Sequence, residues 1–113
     1  MSPLSRAAFG GAVLAFVLAD AARAEDLQTY TLTLKDHRFT PAQIRVPAGK
    51  PFIVSITNLD DTADEFDMPR PAVEKVIQPG GEGKVRIRPL SPGSFPFTGE
   101  FHADTAKGMF VAE

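Results

Sequence analysis

From Thr29 onward the chain holds no helical period over a useful length, but it repeatedly holds a period of two. In Pro51–Asn58, Phe52, Val54 and Ile56 alternate with Ser55 and Thr57. In Thr29–Leu34 the apolar face is Tyr30, Leu32 and Leu34, and in Lys84–Arg88 it is Val85 and Ile87, with Lys84, Arg86 and Arg88 outward. Short strands are further expected at Gln43–Val46, Val73–Ile77, Ser94–Gly99 and Gly108–Val111. Gly- and Pro-rich turns separate them, among them Pro47-Ala48-Gly49, Pro79-Gly80-Gly81 and Ser91-Pro92-Gly93. Many short strands punctuated this way predict an all-β sandwich. Asp36–Pro41 and the acidic segment Leu59–Pro71 read as connections.

The N-terminus reads differently. Arg6 supplies a positive region, Ala7–Ala19 an apolar stretch too short to span a bilayer, and Ala22-Arg23-Ala24 a small-residue cleavage site. These features predict a signal peptide over 1–24, export to a bacterial periplasm, and no direct membrane insertion of the mature chain from Glu25. Export usually permits disulfides, yet the sequence contains no Cys. A single domain over 25–113 must therefore rely on its apolar core or on a ligand. With Arg6, Arg23 and Asp20 removed, ten cationic and thirteen acidic side chains remain, a net charge of −3 with His neutral. That balance argues against nucleic acid and anionic membrane as partners.

Phe39-Thr-Pro-Ala-Gln-Ile-Arg-Val-Pro-Ala-Gly49 followed by Phe52–Asp60 resembles the first half of a cupredoxin domain. Leu90-Ser-Pro-Gly-Ser-Phe-Pro-Phe97 and the His102–Gly108 loop resemble its second half. The resemblance implies a cupredoxin-like Greek-key sandwich. It also places Gly99 where a blue-copper Cys would stand, His102 at the His position, and Ala106 or Lys107 where the Met belongs. Without a thiolate this chain is no ordinary blue-copper electron carrier. More narrowly, Glu65-Phe66-Asp67, Glu74-Lys75-Val76-Ile77-Gln78-Pro79-Gly80 and Gly99-Glu100-Phe101-His102 resemble the Cys-poor periplasmic cupredoxin-like domains of EfeO-type and FtrABCD-type iron-uptake systems. That likeness implies metal binding, and as partners an inner-membrane iron permease or another periplasmic subunit.

The candidate ligands are Glu65, Asp67, His102, Glu100, Met68 and His37. The segment offers the carboxylates Asp64, Glu65 and Asp67; if it is extended, Glu65 and Asp67 share a face opposite Phe66. Glu100 and His102 are likewise two apart. Carboxylates with imidazole suit Fe2+ or Cu2+, and suit Cu+ poorly unless Met68 or Met109 adds sulfur. His37 lies in a loop that many cupredoxins place at the site's end. No phosphate loop, Cys nucleophile or nucleophile-elbow Ser is present, and two His cannot make a three-His zinc centre. Any enzymatic role is at most a ferroxidase-like accessory activity. Two functions stay open: a periplasmic metal-binding protein of iron uptake, and a metal-free adaptor using an exposed patch from among Phe66, Phe97, Phe101 and Phe110.

Overall fold

The alternating segments become strands, and their apolar faces close on one another. The structure, a computed structural model, describes residues 27–113; the expected signal peptide lies outside them. One sheet holds β1 (Thr29–Lys35), β2 (Arg38–Thr40), β4 (Phe52–Asn58) and β7 (Glu82–Ile87) in the order β2-β1-β4-β7. The other holds β3 (Gln43–Val46), β5 (Asp64–Pro69), β6 (Ala72–Ile77), β8 (Gly93–Gly99) and β9 (Lys107–Ala112) in the order β3-β9-β8-β5-β6. β1 runs parallel to β4 with Leu32 opposite Ile56, and β3 runs parallel to β9 with Ile44 opposite Phe110. The other pairings are antiparallel.

Between the sheets Phe52, Phe66, Phe97 and Phe110 are almost wholly buried. Phe97 lies 4.8 Å from Phe110 and 5.3 Å from both Phe66 and Phe39, centroid to centroid. Such ring pairs add about 0.5–1.5 kcal/mol each beyond their buried area. Gly108 leaves room for this cluster, since a Cβ there would collide with the Phe97 ring.

The structure departs from the sequence reading in two places. Asp36–Pro41 contains the short strand β2, and the acidic connection Leu59–Pro71 contains β5. β5 does alternate, with Asp64, Phe66 and Met68 inward and Glu65 and Asp67 half-buried on the other face. The acid at an inward position hides that alternation from an apolar pattern. Lys107 joins β9, and a single 3₁₀ turn, Glu100–His102, joins β8 to it.

β1 and β4 run in the same direction, so their C-terminal ends meet at one pole of the sandwich. The β1–β2 turn, residues 59–63 and the 3₁₀ turn gather there, tied by Asp60 to Asp36 and His37 and by Asp64 to Phe101 and His102.

Candidate metal centre

Asn58, wholly buried at the end of β4, organises the first half of the pole. Its Nδ2 donates to the carbonyls of Thr62 at 2.9 Å and Ile77 at 3.2 Å, and its Oδ1 accepts from the Asp60 N–H at 2.9 Å. Asp60 thereby reaches the β1–β2 turn. Its Oδ1 accepts from the Asp36 N–H at 2.7 Å and its Oδ2 from the His37 N–H at 3.0 Å. Asp36 (φ 53°) and His37 (φ 57°) are both left-handed. That is the backbone of a tight two-residue hairpin, a conformation that Gly usually supplies. Burial opposes ionisation of Asp60, but the two N–H donors and the nearby imidazoles of His37 and His102 outweigh it. Its carboxyl is held below the ordinary value.

Asp64 organises the second half. It is 2 % exposed, and its Oδ1 accepts from the Glu65 N–H at 2.8 Å and the Phe101 N–H at 3.0 Å. Its Oδ2 lies 3.0 Å from His102 Nδ1. A carboxylate only accepts, so the proton in that bond is assigned to Nδ1 and the Nε2 lone pair is left free. The loop is closed by Thr105 and Ala106 N–H groups donating to the His102 carbonyl, and by Gly99 N–H donating to Ala106 O at 2.9 Å. Gly99 is required here: a Cβ would stand 2.5 Å from Asp64 Oδ2 and 2.7 Å from Ala106 Cβ. Ala106 is itself fully buried. The space beside Gly99 is thus filled by the Asp64 carboxylate and the Ala106 methyl group.

The two imidazoles meet above this filled interior. The His37 and His102 rings stack with centroids 3.7 Å apart and planes 13° from parallel. Each turns Nδ1 toward a carboxylate, His102 toward Asp64 and His37 toward Asp60 Oδ2 at 3.5 Å. His37 Nδ1 is buried and has no hydrogen-bond partner within bonding geometry. Among the described residues no hydrogen bond reaches Nε2 of either ring. Carboxylate–imidazole pairs with Nε2 free are how proteins present His to metals, because the carboxylate fixes tautomer and ring direction. Two neutral imidazoles suit Cu2+, Fe2+, Ni2+ or Zn2+. Sharing one ion requires the rings to splay, and the His37 side chain is 41 % exposed.

The other candidate ligands fall elsewhere. Glu65 and Asp67 lie on the outer face of β5, where with Glu74 of β6 they bring three carboxylate oxygens within 4.8 Å of one another. Glu74 sits directly opposite Asp67. Partial burial, then the charges of Glu74 and Asp67, then those of Glu100 and Asp64, push the Glu65 carboxyl above its ordinary value. Glu100 is exposed at the start of the 3₁₀ turn, 3.5 Å from Thr98 Oγ1. Met68 is buried in the core. Thus His37 and His102 are brought together, while Glu65 and Asp67 join Glu74 rather than either His. The carboxylates that back the imidazoles are Asp60 and Asp64. Asp64 was visible in the sequence only as one of the carboxylates Asp64, Glu65 and Asp67, with nothing marking it as inward; Asp60 carried no signal, because it acts across a turn.

The profile of the family described as "Cupredoxin-like domain" matches residues 8–112, and the chain belongs to that family. It is 36 % identical over 80 residues to the uncharacterized protein RP394 of Rickettsia prowazekii (strain Madrid E), a match covering 71 % of this chain and 64 % of that relative. Its fold is similar to the metal-binding domain of the Cu(I)-exporting P-type ATPase CopA of Streptococcus pneumoniae D39 (TM-score 0.70, 16 % identity, 79 % of this chain and 88 % of that one). It is also similar to auracyanin A, a blue copper protein of Chloroflexus aurantiacus (TM-score 0.68, 10 % identity, 78 % and 100 %). At these identities the likeness establishes the fold alone.

Proposed function

We propose that this is an exported protein that binds Cu2+ or Fe2+ at the His37–His102 pole and serves a bacterial iron-uptake system. The observation that carries the reading is the stacked imidazole pair with each Nδ1 turned to its own carboxylate. Metal would be held through the two Nε2 atoms, with the rest of its shell left to water or to a receiving protein. Asp64 holds His102 in the tautomer that binds, and the filled interior keeps the site at the surface. Two neutral imidazoles are borderline donors that accept either Fe2+ or Cu2+, with water or a partner's oxygen completing the shell. Copper, when bound, would supply one-electron chemistry, so the protein would assist Fe2+ oxidation as an accessory at most. The iron assignment, and a permease or second periplasmic subunit as recipient, are supported by the Glu65-Phe66-Asp67 and Glu100-Phe101-His102 resemblance. Anaerobic calorimetric titration with Fe2+ and separately Cu2+ tests the binding. We expect one equivalent at the pole and a loss of affinity of roughly tenfold or more in His102→Ala. Slower iron-limited growth of a deletion strain tests the transport role.

A second reading is favoured by two observations. Leu59 and Phe101, next in sequence to Asp60 and His102, are 56 % and 55 % exposed, and the space beside Gly99 is packed by Asp64 and Ala106. On this reading the pole docks a transporter subunit without metal. Co-purification with an iron permease by a well-folded protein that binds neither metal would select it.

A further inference from the structure

We propose that Asp60 is the positioning residue that makes His37 the second nitrogen of the centre; this rests on reading the His37–His102 pole as the metal site. The β1–β2 turn places two consecutive L residues, Asp36 and His37, in left-handed backbone and contains no Gly. Such residues persist only where surrounding structure over-determines them. Here the determinant is a side chain more than twenty positions away in the sequence. Asp60 accepts both turn N–H groups, one on each carboxylate oxygen.

Asp60 is itself fixed on three sides. Its own N–H donates to buried Asn58, its carbonyl accepts from Gly80 N–H at 3.2 Å, and the preceding Leu59 N–H donates to Leu34 O at 2.8 Å. A continuous line of hydrogen bonds therefore runs from the core end of β4 through Asp60 to the turn that carries His37. Its terminal bond is His37 N–H to Asp60 Oδ2 at 3.0 Å; the same oxygen lies 3.5 Å from His37 Nδ1, outside bonding geometry. His102 is held by a separate line, through Asp64 and the 3₁₀ turn.

Because the two lines are separate, loss of Asp60 should remove one imidazole and spare the other. Without its acceptors the hairpin relaxes to another turn, His37 swings off the stack, and His102 stays bonded to Asp64. Two measurements read this in wild type, Asp60→Ala and the milder Asp60→Asn. The first is the His37–His102 ring contact in the metal-free protein, by nuclear Overhauser effects. The second is the number of imidazole nitrogens coupled to added Cu2+, by pulsed electron paramagnetic resonance.

Asp60→Ala should lose the ring contact, fall from two coupled nitrogens to one, and bind Cu2+ about 10–100-fold more weakly. It should keep the His102–Asp64 bond. Asp60→Asn retains one acceptor oxygen, stays folded if the alanine variant does not, and should show the same change in reduced degree. Two coupled nitrogens and an intact ring contact in these variants would overturn the proposal. If wild type binds no Cu2+ at all, it is the metal reading that fails. The metal-free ring contact still decides the role of Asp60, and its persistence in Asp60→Ala would overturn that role.

Discussion

At the scale of single residues, Asp64 separates folding from chemistry. It accepts three hydrogen bonds while almost wholly buried. Asp64→Ala would strand two backbone donors, at about 1–3 kcal/mol each. Asp64→Asn is the more informative change. Its carbonyl oxygen can still serve Glu65 and Phe101, but its amide then faces His102 Nδ1 with a donor. The ring must accept there and carry its proton on Nε2, the atom that binds metal. The expected outcome is a folded variant with Cu2+ affinity near that of His102→Ala, checked by circular dichroism beside calorimetry. A second residue-scale prediction concerns pH. Asp60's folded carboxyl titrates below its ordinary value, so the stability it contributes is whole above the ordinary range. That contribution is lost as pH falls through the depressed value. Asp60→Asn should therefore unfold more easily than wild type in urea near neutrality, by roughly 2 kcal/mol. The gap should close as pH drops below the Asp range of about 3.9.

At the scale of elements, β5 carries different chemistry on its two faces. Inward, Asp64 closes the pole and Phe66 and Met68 fill the core. Outward, Glu65 and Asp67 meet Glu74 across the β5–β6 pairing, where like charges directly opposite destabilise a sheet. Glu74→Lys should raise stability by about 0.5 kcal/mol, measured as a shift in the urea midpoint with unchanged slope. Glu65 gives the pH signature of the same crowding. Its raised folded value means that its charge opposes the fold above that value, and the opposition disappears as pH falls through it toward the ordinary Glu range. Glu74 clusters with Glu65 and Asp67 and bonds neither imidazole nor Asp60 or Asp64, so Glu74→Lys should leave Cu2+ binding at the imidazoles intact.

At the scale of the whole molecule, the sandwich was legible where apolar inward residues alternate over several positions; β2, with Phe39 alone inward, is too short to show the pattern. β1, β4, β7, β8 and β9 follow from Leu32, Val54, Val85, Phe97 and Phe110. β5 was not legible as a strand because its first inward residue is an acid, whose partners other than the neighbouring Glu65 N–H, namely the Phe101 N–H and the His102 ring, are remote in sequence. The site was half legible for the same reason. His37 and His102 stand out as the two imidazoles of the chain. Their carboxylate partners are chosen by which end of the sandwich each loop reaches, and strand order sets that. The core is closed by apolar side chains, four of them almost wholly buried phenylalanines, and the sequence has no Cys for a disulfide. The chelator-treated protein should therefore stay folded. Added metal should raise its stability only by mass action, by about 2.7 kcal/mol at a hundredfold excess over Kd, read as a concentration-dependent Tm.

The central claim is that metal belongs to the imidazole pole and not to the outer carboxylates of β5 and β6. The most direct measurement is a Cu2+ titration by calorimetry of three proteins: wild type, His37→Ala/His102→Ala, and Glu65→Gln/Asp67→Asn/Glu74→Gln. The account predicts one tight equivalent in wild type and in the carboxamide variant, and none in the double alanine variant. Tight binding that survives loss of both imidazoles and disappears with the three carboxylates would contradict it.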